Sequence, residues 1–460
     1  MTSTPAPTVF PPLSRLADLA HALASGATTS RQLTEMALER IAEPAGQGAN
    51  TFVHVDTSAA LASADASDAL RRAGTLLSPL MGLPISVKDL FDIAGQVTRA
   101  GSVALDDAPC ATVDATAVAR LRRAGAVLIG RTNMSEFAFS GLGLNPHFGS
   151  PLAPFQRSEA RVAGGSSSGA AVSVTDGMAA AALGTDTGGS VRIPAALCGL
   201  TGFKPTARRI PRSGTVPLSS TLDSIGPLAP SVACCALMDR VLAGLDPASP
   251  VEQPIRGARI GVLTNVVLDA LEPAVASAYE RALQLLAAAG AQLTEFRFAP
   301  LDQLANINRY SFSAIEALAW HRNLIARRGT QYDQRVLKRM LHAESATALD
   351  YLDLLAARQV LIAQAEVAWR EFDVVALPTV ALTSPKLSEL EADENHFVAL
   401  NAKMLRNPSI INFLDGCALT LPCHRHDEAP VGLSLAALAD NDERVLGLGL
   451  SAQRVLDAAR

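Results

Sequence analysis

The sequence predicts an α/β fold in which helices cover both faces of a largely parallel sheet, and three observations carry that expectation. Short apolar runs of strand length alternate with stretches of helical period through the first half of the chain. The 460 residues are 49% hydrophobic but only 4% aromatic, so small aliphatic side chains must fill the interior. Such residues suit helix-on-sheet packing better than a disulfide-stapled or aromatic-rich β scaffold. Charged residues reach only 18%, and a chain this long and apolar can hide roughly 75% of its unfolded surface. Disorder as the main state is thereby excluded.

The elements follow in order. Thr29 with Gln32 fits a capping box, and Leu33, Met36, Ala37 and Ile41 repeat at helical spacing, so an amphipathic helix opens the ordered chain. Residues 83–87 (LPISV) read as a brief buried strand. Residues 114–125 (DATAVARLRRAG) read as a helix with Gly125 where a C-cap belongs, and 126–129 (AVLI) as the next strand. A Pro-rich connection occupies residues 243–256. Beyond it 259–265 (RIGVLTN) is strand-like, 271–290 is a long helix and 311–370 is mostly helical. Residues 374–380 (VVALPTV) and 431–437 (VGLSLAA) are further strand candidates, and 442–456 closes the chain as a helix. No repeat of fixed period is present.

Charge and cysteine usage exclude several classes. The net charge of −5 offers no basic footprint for nucleic acid. No run reaches the roughly 18 apolar residues of a membrane helix. The first residues, MTSTPAPTVFPPLSRLADLA, carry no positive charge before an apolar core, so they do not read as a signal peptide. Six scattered cysteines without a CxxC pair read as reduced, buried thiols of a cytoplasmic protein. Cys423, His424 and His426 lie close in sequence, but in a charged loop that does not read as a metal site.

The most unusual stretch is residues 163–206, with GGSSSG followed by TDTGGS. Glycines let the backbone approach a ligand, and consecutive N–H groups in such a loop can stabilise negative charge. Flexible turns would be the bland explanation, but both runs sit in an apolar, ordered context. Three chemistries compete. A phosphate loop would need a Lys after Gly169, and none follows. A nucleophile elbow is formally met by Gly165-Ser166-Ser167-Ser168-Gly169, with Ser167 as nucleophile, but the later histidines stand in no recognisable setting. A serine nucleophile with a lysine base requires a buried Lys, and Lys88 closes the apolar run LPISV. Burial there would lower its pKa toward that of a general base. A surface pair of Lys88 with Asp89 is the alternative.

Residues 82–95 (GLPISVKDLFDIAG), 164–169 (GGSSSG) and 182–206 (ALGTDTGGSVRIPAALCGLTGFKPT) together resemble the amidase signature family of serine hydrolases. The resemblance extends to 123–141 (RAGAVLIGRTNMSEFAFSG), 222–232 (LDSIGPLAPSV) and 429–437 (APVGLSLAA). It implies Ser190 as nucleophile, Ser166 as a bridging serine on a cis peptide bond, and Lys88 as terminal base. It implies the N–H groups of Thr187, Gly188, Gly189 and Ser190 as an oxyanion hole, with Asp186 and Arg192 bracing the loop. It also implies a single α/β/α domain over residues 1–460 with a large, twisted, mixed sheet. Within it, 1–70 would be an N-terminal helical region and 71–242 the signature core. Residues 243–375 would be a variable, mostly helical region, and 376–460 a return to the sheet. Length alone would suggest about three domains.

The implied reaction is hydrolysis of an amide through an acyl-enzyme, without metal or cofactor, on a small-molecule amide-type substrate, by a monomer or homodimer. Phe137, Gly141, Leu142, Trp320 and Phe413 are the candidates for the pocket. They favour neutral aryl or alkyl amides, with carbamates and esters in reach, over acidic substrates. One branch of the family is the glutamine-hydrolysing component of a tRNA-dependent amidotransferase. Its RYDG-type run is missing from residues 300–335, where NINRYSFSAIEALAWHRN stands.

Overall fold

Eleven strands build one sheet in the computed structural model, which describes residues 11–460. The first ten residues, on which part of the signal-peptide reading rests, lie outside the described residues. The strands of the first half are β1 (Phe52–His54), β2 (Pro84–Lys88), β3 (Val127–Thr132), β4 (Ala181–Asp186), β5 (Thr201–Lys204) and β6 (Ser224–Ala229). Those of the second half are β7 (Arg259–Leu263), β8 (Gln292–Phe296), β9 (Val374–Pro378), β10 (Cys417–Pro422) and β11 (Gly432–Ala437). Their order across the sheet is β1-β3-β2-β4-β6-β5-β10-β11-β9-β7-β8.

The sheet is mixed, as the family resemblance implies, and not largely parallel, as the alternation of strands and helices alone suggests. Parallel pairs lie toward the two flanks, β2 with β3 and β4, and β7 with β8 and β9. The centre, from β4 through β6, β5, β10 and β11 to β9, is antiparallel throughout. Connection length accounts for the pair of β10 and β11. A parallel neighbour needs a long crossover, whereas β10 and β11 are joined by the short loop 423–431 and must run oppositely. Alternation along the chain reveals strands and helices but not their order in the sheet.

Both faces of the sheet are buried. In β9, Ala376 enters one hydrophobic cluster while Val375 and Leu377 enter another, as the two-residue period of a strand requires. The first cluster receives helices Val232–Ala243, Pro273–Ala288 and Asp442–Asp457 through Val232, Val275 and Val445. The second receives Ala348–Ala368 and Glu394–Phe413 through Leu354, Leu361 and Ile410. Near the Ser/Gly runs, helices Ser168–Thr175 and Arg192–Leu197 pack Ala170, Ala171 and Ala195 against Ala182 and Leu228. Alanine-sized contacts there bring these short helices close to β4.

Local signals were mostly as the sequence spelled them. The capping box of Thr29 and Gln32 opens helix Ser30–Ala42, and Gly125 takes a φ of 81° behind helix Thr116–Arg123. That first helix is not first, however. Leu16–Ser25 precedes it and buries Leu16, Leu19 and Leu23, whose spacing already carried the signal. Cys110 is exposed, so only five of the six thiols are buried as expected. No helix among the described residues is long and apolar enough to cross a membrane.

Close packing of the sheet yields the first test. A β-carbon on Gly226 would sit 2.1 Å from Phe203 O, a backbone atom of the neighbouring strand that cannot swing aside. Gly226→Ala should therefore destabilise by about 1–3 kcal/mol, against about 1 kcal/mol for the cap variant Thr29→Ala. Urea unfolding measures both, and an unchanged midpoint for Gly226→Ala would contradict this packing.

Candidate active site

Adjacent parallel strands place the first components. In β2 and β4, Val87 pairs with Leu183, so the strand ends Lys88 and Asp186 open toward the same edge. Lys88 is fully buried, and its Nζ lies 2.7 Å from Ser166 Oγ and 2.9 Å from Thr185 Oγ1. Burial pushes its pKa down to about 7, while the charges of Asp186 and Asp223 pull it partly back. A surface pair with Asp89 is excluded, because the Asp89 carboxylate accepts instead from Arg131 Nε at 2.7 Å. A second buried lysine, Lys204, donates to Pro205 O and Gly416 O and touches no hydroxyl. Only the first of the two is poised against a serine.

The two Ser/Gly runs meet in front of that lysine. The Gly165–Ser166 peptide bond is cis. Gly165 admits no side chain, since a β-carbon would come within 2.6 Å of Gly143 N. The Ser135 N–H donates to Ser166 O at 3.1 Å, and the Ser167 N–H donates to Ser190 O at 3.2 Å, which stitches the runs together. Ser166 is fully buried, whereas Ser190 is 3% exposed and lines a cavity. Among the described residues Ser190 Oγ meets no hydrogen-bond partner in this resting arrangement, so the link to Ser166 is the one left open. Contacts of this kind commonly tighten only with substrate bound. Ser167, the elbow candidate, is fully buried and directs its Oγ to Thr185 O at 3.4 Å, away from the cavity.

Asp186 shapes the loop between them. Its carboxylate accepts from Arg192 Nε at 3.0 Å and Nη2 at 2.9 Å, and from the N–H groups of Gly189, Val191 and Arg192. Burial opposes its charge, but the adjoining Arg192 guanidinium prevails and holds it well below the usual carboxylate range. Asn412 Nδ2 adds a bond to the same carboxylate at 2.9 Å, and Arg192 Nη2 reaches Pro408 O and Asn412 Oδ1. The loop is thus fastened to helix Glu394–Phe413. Gly189 takes a φ of 125°, and Pro408 leaves it no room for a side chain. Because its N–H is engaged by Asp186, the expected four loop donors become three. Among the described residues, the N–H groups of Thr187, Gly188 and Ser190 meet no protein acceptor. Thr187 Oγ1 donates to Asp223 Oδ1 at 2.5 Å, and burial pushes Asp223 up to about 6.

The cavity has a volume of ≈ 430 Å³ and is walled mainly by Phe139, Leu218, Leu301, Leu405, Ile410 and Phe413. Of the pocket residues expected from sequence, only Phe413 lines it. Phe137 is buried against His321 and Tyr332, and Leu142 is buried in a separate cluster. Gly141 packs beneath Leu405, and Trp320 is exposed outside the cavity. Sequence reasoning missed Arg339 and Arg406, which do line it, and Asn412 and Asp223, which hold the loop. Asp223 lies within the quoted run 222–232 and was within reach; the arginines sit on helices without a motif. A larger cavity of ≈ 540 Å³, beside Trp369 and Arg358, holds none of Lys88, Ser166 and Ser190.

Comparison with known proteins gives four findings. Residues 32–446 match the family model described as Amidase. The chain is 38% identical to the 2-amino-5-chloromuconic acid deaminase of Comamonas testosteroni, over 88% of each protein. It is 35% identical to a glutamyl-tRNA(Gln) amidotransferase component of Roseiflexus sp. (strain RS-1), over 96% of each. Its structure superposes on a crystal structure of an amidase with a TM-score of 0.87 at 33% identity, covering 96% of this chain and all of the other.

The buried amine generates a stability test. Lys88 is neutral in the folded protein above about pH 7 but remains protonated in the unfolded chain until pH approaches 10.5. Folding therefore releases a proton between these values, and the stability of the native state rises with pH across them. Replacing the amine by Lys88→Met should stabilise the protein most at and below pH 7, with the gain shrinking toward pH 10. Urea midpoints at the two pH values check this; an equal gain at both would contradict a lowered pKa.

Proposed function

The chain belongs to the amidase family and is a hydrolase of carbon–nitrogen bonds, and from that premise we propose that it works through an acyl-enzyme on Ser190. The observation that carries the reading is the fully buried Lys88 amine 2.7 Å from Ser166 Oγ, beside the cavity that Ser190 lines.

Neutral Lys88 takes the proton of Ser166 as Ser166 takes that of Ser190, and Ser190 Oγ attacks the carbonyl carbon. The carbonyl oxygen becomes an oxyanion beside the N–H groups of Thr187, Gly188 and Ser190, where one donor contributes about 3 kcal/mol. Ser166 returns a proton to the leaving nitrogen, the C–N bond breaks and the amine departs. Water, deprotonated through the same relay, releases the acid and restores Ser190. Asp186 and Arg192 keep the donor loop in shape without touching substrate.

The same tetrahedral centre forms from an amide, a carbamate or an ester, so the relay does not choose among leaving groups. Selectivity lies in the cavity. The relative named for a chloromuconic acid acts on an acid, which brings acidic substrates within the range of this scaffold. The amidotransferase relatives make glutamine hydrolysis the competing assignment. The missing RYDG-type run weighs against it.

Ser190→Ala should abolish turnover, and Ser166→Ala or Lys88→Met should lower kcat by about 10²–10⁴, while Ser167→Ala stays far milder. Because Lys88 accepts a proton only when neutral, kcat/KM should rise with pH through about 7 and then level off. A panel of amides, anilides and carbamates supplies the assay. A loss on Ser167→Ala with activity retained in Ser190→Ala would return the assignment to the nucleophile elbow.

A further inference from the structure

The donor loop is held from a second side. Thr187 lines the cavity with Gly188 and Ser190, and its hydroxyl donates to Asp223 Oδ1 at 2.5 Å. The same carboxylate accepts from the N–H groups of Ser219 at 3.1 Å and Leu218 at 3.0 Å. Leu218 and Leu222 wall the cavity, so Asp223 joins a wall segment to the first residue of the donor loop. Its own N–H donates back to Ser219 O at 3.0 Å, which closes the turn. Glu316 holds that turn from helix Phe312–Arg328, accepting from the hydroxyls of Ser219 and Thr221.

Asp223 also stands close to the base. β4 and β6 pair Thr185 with Ile225 and Asp186 with Ser224, which sets Asp223 beside the end of β4. Thr185 Oγ1 accepts from Lys88 Nζ, and Thr185 and Asp223 line one small cavity of ≈ 10 Å³, with room for about one water. A charge across so little solvent is weakly screened. Among the described residues, Asp186 and Asp223 are the two charges that act on the amine, and both favour its protonated form. Asp186 is paired with Arg192, whereas Asp223 forms no ion pair among the described residues. Arg212, the cation that acts on it, bonds instead to the carbonyl oxygens of Ser220 and Asp223. Burial raises the pKa of Asp223 to about 6, so it is ionised where Lys88 titrates.

We propose that Asp223 is a positioning residue for the hydrolysis, fixing the Thr187 donor through its hydroxyl and setting, by its charge, the pH range in which Lys88 works. This rests on the relay of Lys88, Ser166 and Ser190 and goes beyond it, since Asp223 bonds to none of the three. Threonine suits the link. A β-branched side chain has few χ1 positions, so an anchored hydroxyl also fixes the main chain that carries the N–H. Neutralising Asp223 removes a charge that favours the ammonium form, and Lys88 then loses its proton at lower pH.

The test uses the rate of sulfonylation by phenylmethanesulfonyl fluoride, which needs no substrate, measured between about pH 5 and 9. The parent protein is compared with Asp223→Asn, Thr187→Val and Thr187→Ser, with folding checked by circular dichroism. Asp223→Asn, whose Oδ1 still accepts from Thr187, should move the midpoint of the rate rise at least about half a pH unit toward acid. Thr187→Val leaves both carboxylates in place, so it should slow the reaction about tenfold or more with the midpoint unmoved. Thr187→Ser should recover most of that rate. Where Asp223→Asn fails to fold, Asp223→Ser supplies a smaller neutral replacement, and the Thr187 pair stands in either case. A merely structural Asp223 would slow the reaction without moving its midpoint, and that result overturns the proposal, as does a Thr187→Val protein as fast as the parent. A parent rate indifferent to pH would remove the relay together with this assignment. A pH-dependent parent rate with an unmoved midpoint in the folded Asp223 variant overturns this assignment alone.

Discussion

A primary amine sealed from water and bonded only to hydroxyl groups cannot keep its proton as it would in solution, and Lys88 is in that position. The surrounding structure is arranged around this constraint. β2 must end in the interior, which requires covered neighbours on both sides, and β3 and β4 supply them. The carboxylate closest in sequence, Asp89, has to be kept away from the amine, and Arg131 takes it. Asp186 does attract the lysine's charge, but Arg192 pairs with it directly and limits that pull.

The buried pair of Asp186 and Arg192 has a second consequence. A carboxylate that gathers three loop N–H groups and a guanidinium holds residues 186–192 in one shape. Because Arg192 also bridges to Pro408 and Asn412 of helix Glu394–Phe413, the loop is tied to one wall of the cavity. Truncating either charge would leave the other buried and unpaired, which costs more than the pair contributes. Engagement of the Gly189 N–H is the local cost of this brace, which leaves the N–H groups of Thr187, Gly188 and Ser190 without a protein acceptor among the described residues.

How much of this was legible in the sequence depends on range. Lys88, Ser166 and Ser190 stand in contiguous runs whose composition has no structural excuse, and the fold brings those runs to one edge. Thr29 with Gln32, and Gly125, act within a single turn and were equally plain. The antiparallel centre of the sheet was hidden, because hydrophobic period fixes the type of an element and says nothing of its neighbours. The cavity walls were hidden for the same reason. Phe137 and Leu142 belong to or adjoin the signature runs in sequence but pack into cores, while Arg339, Arg406 and Leu301 arrive from distant helices and loops. An arginine in an amphipathic helix reads as a solvated face until tertiary contacts show that no acid accompanies it.

The central claim is that a neutral Lys88, acting through Ser166, activates Ser190. Sulfonylation by phenylmethanesulfonyl fluoride, followed by peptide mapping, interrogates it without knowledge of the substrate. The account predicts a single adduct on Ser190, formed faster as pH rises through about 7 and strongly slowed in Lys88→Met. An adduct on Ser167, or a rate indifferent to pH between about 6 and 9 and to the loss of the amine, would contradict it.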